Sequence, residues 1–218
     1  MTEVLVVVAH PDDAELAVGA TIAHLVARGV GVTVACFTVS EPRPGPRRER
    51  VAAAGRAAAV LGHRLLWVAD ATLDQVEDIP EYEAVRHVDA LVERVRPDAL
   101  ITHWENDSHG DHVRVARAVV SASRRCPGTS LLQFGPNEYA TARHAEFVPN
   151  VYFPIADQLD LKKEAIACYS YPGQGFRGVD ADAVELLARA RGLAVNVPAA
   201  EGLRLVRHTA GPSRASFL

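Results

Sequence analysis

Glu3-Val4-Leu5-Val6-Val7-Val8-Ala9-His10-Pro11-Asp12-Asp13-Ala14-Glu15 joins two unlike pieces of chain. Residues 4–8 are all valine or leucine, an unbroken apolar run that predicts a short strand buried on both faces. Pro11 cannot extend a ladder and pushes His10 toward an extended conformation, so the run ends in a stiff corner. That corner carries one imidazole and two adjacent carboxylates. Beyond it, residues 15–28 place Leu16, Ile22, Ala23, Leu25 and Val26 at helical spacing, with Gly19 and Ala20 small enough for close approach to a sheet. A strand–loop–helix unit puts the corner at the C-terminal edge of a parallel sheet, where open α/β folds bind their ligands. His10 and Asp13 are both metal-ligand types. The plain alternative is an Asp pair that caps the following helix.

The same alternation continues down the chain. Strands are expected at 31–39, 63–68, 98–102, 130–134 and 147–153, and helices at 47–61, 84–95, 113–125, 160–169 and 184–190. Residues 203–206 read as a returning edge strand, and the tail from Ala210 as loosely ordered. The segments 40–46 and 70–80 read as loops leaving the C-terminal ends of strands, and 169–176 as a glycine-bearing aromatic loop, either a lid or a turn. Repeated short apolar strands and longer helices predict right-handed βαβ units. The expected fold is a Rossmann-like three-layer α/β/α sandwich with a mostly parallel sheet, residues 1–218 forming one domain.

Composition narrows the function classes. A chain of 218 residues supports a substantial core, and a net charge of -4 gives no reason to expect a nucleic-acid partner. No stretch reaches the length of an integral membrane segment, and no basic leader precedes the first strand, so a cytoplasmic location is the default expectation. Cys36, Cys126 and Cys168 are unclustered, and Cys36 in an apolar strand reads as a buried thiol. A homo-oligomer is compatible with the chain, although periodicity identifies no interface.

A second polar concentration follows the fourth strand: Thr102-His103-Trp104-Glu105-Asn106-Asp107-Ser108-His109-Gly110-Asp111-His112. Three histidines and three carboxylates in this run do not read as apolar core. Successive βαβ units bring strand ends together, so His10 and Asp13 can meet His112. Two imidazoles and one carboxylate with open positions for water form a catalytic zinc site, and Fe(II) suits the same set. Asp12 is then placed as general base beside the metal, while His109, three residues before His112, addresses the oxyanion and the leaving group. Asp107 or Asp111 would orient an imidazole; spacing does not choose between them. His103 either faces the pocket or satisfies the end of its strand.

At these residues the chain resembles the LmbE-like family, also called the PIG-L family of de-N-acetylases. Ala9-His10-Pro11-Asp12-Asp13 matches its first signature and His109-Gly110-Asp111-His112 its second, with a downstream helix carrying Lys163, Ala165 and Tyr169. The resemblance implies zinc bound by His10, Asp13 and His112, Asp12 as base and His109 assisting the leaving group. It also implies a substrate class: an N-acetyl group removed from an N-acetylglucosamine-containing small molecule or natural-product conjugate. The chain departs from the family at Tyr169-Ser170-Tyr171-Pro172, near the expected pocket rim. Hydrolysis of another amide or ester is the alternative reading, and a non-catalytic metal-binding protein a further one. A nucleotide-binding module is disfavoured because no G-x-G-x-x-G follows the first strand.

Overall fold

The computed structural model of the protein describes residues 2–39, 47–68, 76–135, 146–169 and 181–208. Among the described residues, seven strands form one sheet in the order β3-β2-β1-β4-β5-β7-β6. They are β1 (Glu3–Val8), β2 (Gly31–Cys36), β3 (Arg64–Trp67), β4 (Ala99–His103), β5 (Ser130–Phe134), β6 (Val151–Pro154) and β7 (Ala200–Arg207). The first five in that spatial order run parallel, whereas β7 pairs antiparallel with both β5 and β6.

Side-chain alternation along β1 divides the core into two layers. Val4, Val6 and Val8 face α1 (Asp13–Ala27), α2 (Arg47–Leu61), α5 (Leu159–Ala167) and α6 (Ala181–Leu193). Leu5, Val7 and Ala9 face α3 (Glu81–Val95) and α4 (Gly110–Ala122). This is the three-layer α/β/α sandwich that the alternating pattern predicts. No helix among the described residues is long and apolar enough to cross a membrane.

Strand order changes direction at β1: β2 lies on one side and β4 on the other. The loops leaving β1 and β4 therefore open a crevice between them, the usual ligand position in such sheets. Both polar concentrations of the sequence sit at this switch point.

The C-terminal strands differ from expectation. Residues 203–206 belong to a longer strand lying between β5 and β6, and β6 forms the sheet edge. The first half of β7 is wholly buried and only its second half alternates, so the alternating stretch alone reads as an edge. Residues 147–150 lie outside β6. Residues 40–46, most of 70–80, nearly all of the 169–176 loop and the tail from 210 lie outside the described residues.

Candidate metal centre and active site

The β1 corner is tied by Asp13, whose Oδ2 accepts the His10 amide at 2.7 Å. Asp12 occupies the N-cap position of α1 with φ 89° and ψ -26°, a left-handed conformation, and its side chain makes no capping bond. Helix capping is thus not what its carboxylate does. A non-glycine residue in this region costs on the order of 1 kcal/mol or more and is retained where surrounding structure imposes it.

The β4 loop enters α4 through His109, the N-cap, whose Nδ1 accepts the Asp111 amide at 3.2 Å. The helix begins at Gly110, earlier than periodicity suggests, so His112 lies in its first turn. The His109 and His112 rings stack with centroids 4.5 Å apart and planes 17° apart.

Two carboxylates orient two imidazoles. Asp111 Oδ2 lies 2.9 Å from His10 Nε2, and Asp107 Oδ2 lies 2.9 Å from His112 Nδ1. An ionised carboxylate only accepts, so each imidazole donates through that nitrogen and presents its other nitrogen elsewhere. His10 Nδ1 is buried, has no hydrogen-bond partner and sits 3.6 Å from Asp13 Oδ2. His112 Nε2 sits 3.4 Å from Asp13 Oδ1. The choice that spacing leaves open between Asp107 and Asp111 has both as its answer, one carboxylate per imidazole.

Two sets of three donors lie within 4.8 Å of one another, His10/His109/His112 and Asp13/His103/His112, and His112 belongs to both. The His/Asp cluster is capable of coordinating a divalent metal. The three residues expected as ligands are distributed across the two sets. His103 has a competing duty: its Nε2 accepts the Ala9 amide at 3.0 Å, fastening the end of β4 to the end of β1. It also stacks on His112 at 4.0 Å and meets Phe134 edge-on. His103 both faces the pocket and closes the strand end.

The electrostatics call for positive charge. Burial opposes ionisation of Asp13, but the His112 and His103 imidazoles overcome it and hold its carboxyl well below the usual range. Burial likewise opposes ionisation of Asp107 and Asp111, and their imidazole partners His112 and His10 draw both below the ordinary value. His112 rises to about 10 although burial works against its charged form, because Asp13 and Asp107 flank it. A proton on His112 stands where a cation would serve the same carboxylates. His109 is lowered by burial and by its neighbours His112 and His10, and His103 falls to about 4 by burial and by His112.

Sequence reasoning missed two buried polar groups around this centre. Tyr169 donates to Glu15 Oε1 at 3.1 Å, and His63 Nε2 stands 4.0 Å from the same oxygen. Burial pushes the Glu15 carboxyl up to about 7. Lys162 and Glu201 form a buried ion pair on the wall of the cleft that runs from Asp13 and His112, a space of about 630 Å³ open to solvent. A lone charged residue in an apolar strand, Ala199-Ala200-Glu201-Gly202-Leu203, is the one sequence signal that could have found the pair.

A mostly parallel α/β/α sandwich with a His/Asp cluster at its switch point defines a class of α/β proteins whose cluster is capable of coordinating a divalent metal. The family profile described as GlcNAc-PI de-N-acetylase, PIG-L, matches residues 5–123, and the chain belongs to that family. It is 35% identical over 139 residues to the probable N-acetyl-alpha-D-glucosaminyl L-malate deacetylase 2 of Bacillus cereus, covering 57% of this chain and 62% of that protein. It is 30% identical over 151 residues to the 1D-myo-inositol 2-acetamido-2-deoxy-alpha-D-glucopyranoside deacetylase of Salinispora arenicola, covering 54% of this chain and 49% of the other. The matched stretches thus span less than two thirds of these curated relatives. Among solved structures, the N,N'-diacetylchitobiose deacetylase of Pyrococcus horikoshii aligns with TM-score 0.76 at 20% identity, over 94% of this chain and 84% of that one. GalB, the 4-carboxy-2-hydroxymuconate hydratase of Pseudomonas putida, aligns with TM-score 0.75 at 19% identity, over 97% and 98%. At such identity the likeness shows the fold alone, and a fold that serves a hydratase and a deacetylase leaves the reaction to the site.

Proposed function

We propose that this chain is a zinc-dependent hydrolase that removes the N-acetyl group from an N-acetylglucosamine-containing conjugate. One observation carries the reading: two imidazoles, each held by its own carboxylate, lie against Asp13 and beside His109, the N-cap of α4. His10 Nδ1, the Asp13 carboxylate and His112 Nε2 would hold the cation, with Fe(II) suited to the same donors. A divalent cation bound there acidifies water and polarises the acyl carbonyl.

The remaining steps belong to the side chains. Asp12 takes a proton from the attacking water as its oxygen bonds to the acetyl carbon. His109 accepts at Nδ1 from the Asp111 amide, so its neutral ring carries the proton on Nε2. That N–H donates a hydrogen bond to the developing oxyanion, and the proton that Asp12 took from water passes to the departing nitrogen as the C–N bond breaks. The products are acetate and a free amine. Asp107 and Asp111 keep their imidazoles in the one tautomer that leaves a lone pair for the cation.

The amino-sugar substrate class is supported by the two curated relatives, one described as a probable N-acetylglucosaminyl malate deacetylase and the other as an acetamido-deoxyglucopyranoside deacetylase. The test is release of amine and acetate from a panel of N-acetylglucosaminides. Zinc-reconstituted protein, chelated protein and Asp12→Ala are compared at matched folded concentration, with simple acetamides, esters and an enol acid for hydration as further arms. Turnover is expected only with metal, and Asp12→Ala should lose about 10²–10⁴-fold while keeping its zinc. Turnover that survives chelation, or Asp12→Ala at the parental rate, overturns the mechanism. Turnover confined to another arm overturns the substrate.

A further inference from the structure

Helix α1 is broken at Val18, whose φ of -137° and ψ of 18° are not helical. In an unbroken helix the Ala20 amide donates to the Leu16 carbonyl. Here a buried ion pair is engaged with both groups. Lys162 Nζ donates to Leu16 O at 2.8 Å and to Glu201 Oε1 at 2.5 Å. Glu201 accepts the Ala20 amide at 3.2 Å through Oε1 and the Thr21 amide at 2.7 Å through Oε2. The two side chains come from α5 and β7 and are spliced into the ladder of a third element. Side-chain insertion of this kind is an established cause of a sharp helix bend.

The local sequence yields at this point, since a β-branched Val18 followed by Gly19 is a weak pair for helix. Lys162 and Lys163 are the only lysines in a chain with 23 basic residues. A compact ammonium on a flexible stem can reach a carbonyl and a carboxylate in a space that a planar guanidinium fork would overfill. Lys162 and Glu201 are 3% and 2% exposed, so neither is a surface ornament.

The bend separates a segment of little more than one turn, Asp13 to Ala17, from the body of the helix. So short a piece has almost no stability of its own. Its start is tied to the β1 corner through Asp13 and the His10 amide, and its end to Lys162 through Leu16 O. Asp13, Leu16, Lys162 and Glu201 all line the same cleft with His112.

We propose that the Lys162–Glu201 pair is a positioning device: it holds α1 bent so that Asp13 faces His10 and His112. The inference rests on the reading of Asp13 as a metal ligand. The decisive variant is Lys162→Met/Glu201→Met, which removes both charges together and frees Leu16 and Ala20 to bond each other. A buried pair replaced by apolar groups of similar size commonly leaves stability intact. The double variant should therefore melt within a few degrees of the parent. Its crystal structure should show α1 straightened at Val18 and the Asp13 carboxylate displaced. Zinc affinity, measured by chelator competition, should fall at least about tenfold, the scale of lost ligand support. On a turned-over substrate, kcat should fall while KM stays within about twofold, as for a group whose loss is felt in the transition state.

A folded double variant with parental zinc affinity and Asp13 in place overturns the proposal. Should the double variant not fold, Glu201→Gln keeps one acceptor oxygen where the carboxylate gave the two amides one oxygen each, and removes the charge that holds Lys162. A smaller fall in zinc affinity then supports the role, and parental affinity rejects it. A parent that binds zinc but deacetylates nothing defeats the proposed substrate, not this inference. A parent that binds no zinc defeats the metal reading, and displacement of Asp13 in the double variant still decides whether the pair sets its position.

Discussion

Two buried polar clusters lie within one cleft and are built on opposite plans. In Lys162–Glu201 the charges cancel, and the surrounding backbone engages both groups: a carbonyl accepts from the ammonium, and two amides donate to the carboxylate. In the His/Asp centre, three carboxylates meet imidazoles, and one buried nitrogen, His10 Nδ1, has no partner. Buried polar atoms are nearly always satisfied, so an orphan in a ring of ionised carboxylates marks a place for a ligand. The difference teaches how to tell an ion pair that shapes backbone from a cluster able to take a cation: the first is complete in charge and hydrogen bonds, the second holds more carboxylate charge than positive charge and a ring nitrogen without a hydrogen bond.

The sharpest way to break the comparison is to make the complete cluster incomplete. Lys162→Met alone leaves the Glu201 carboxylate buried without its counter-charge, and loss of about 3–5 kcal/mol is expected. Denaturant unfolding measures it, and the contrast with the Lys162→Met/Glu201→Met variant separates charge imbalance from lost packing.

A third group tests what burial does to an imidazole whose ring makes no hydrogen bond. Both ring nitrogens of His63 lack hydrogen bonds, and burial lowers it from 6.5 to about 4. Because its folded value lies below the unfolded one, the unfolded chain binds more protons between those limits. Stability from the neutral ring is full above about pH 6.5 and is lost as pH falls toward 4. The whole effect is roughly 3 kcal/mol as an upper bound. Unfolding curves of metal-free protein at pH 4.5 and 7.5 should lose this contribution in His63→Phe, while the parallel slope from His103 and the opposing one from Glu15 stay.

Within the His/Asp centre, Asp107→Asn keeps a polar contact to His112 but removes the charge that fixes its tautomer. Zinc affinity should fall about 10–100-fold, with the melting temperature of the metal-free protein little changed. An unchanged affinity would separate Asp107 from the metal centre.

The smallest effect belongs to the neighbouring residue. Lys163 pairs with Glu185 at 2.8 Å, but both are partly exposed to solvent. Surface pairs contribute little, so Lys163→Met should leave the melting temperature where it is. Adjacent lysines with opposite outcomes would make burial, not charge, the deciding quantity.

Much of the centre was legible before any coordinates. The apolar run into His10-Pro11-Asp12-Asp13, and the His109-Gly110-Asp111-His112 element after a later strand, are local patterns whose periodicity names their elements. The partnering of Asp111 with His10 was not legible, because it spans 101 residues and joins loops from two strands. Nor was the duty of His103, which depends on the register that brings β4 beside β1. The interior position of β7 also escaped local reading, since alternation reports which face is buried and not which strands lie alongside.

What the sequence by itself determined about this protein is therefore its βαβ architecture and the residue types that meet at the switch point of the sheet. Both follow from short-range hydrophobic period and turn chemistry. Only the tertiary structure decided which carboxylate holds which imidazole, where the last strand inserts and how α1 is bent. Those outcomes depend on contacts such as Ala20 with Glu201, 181 residues apart, and no local pattern encodes a bond whose two ends are chosen by packing.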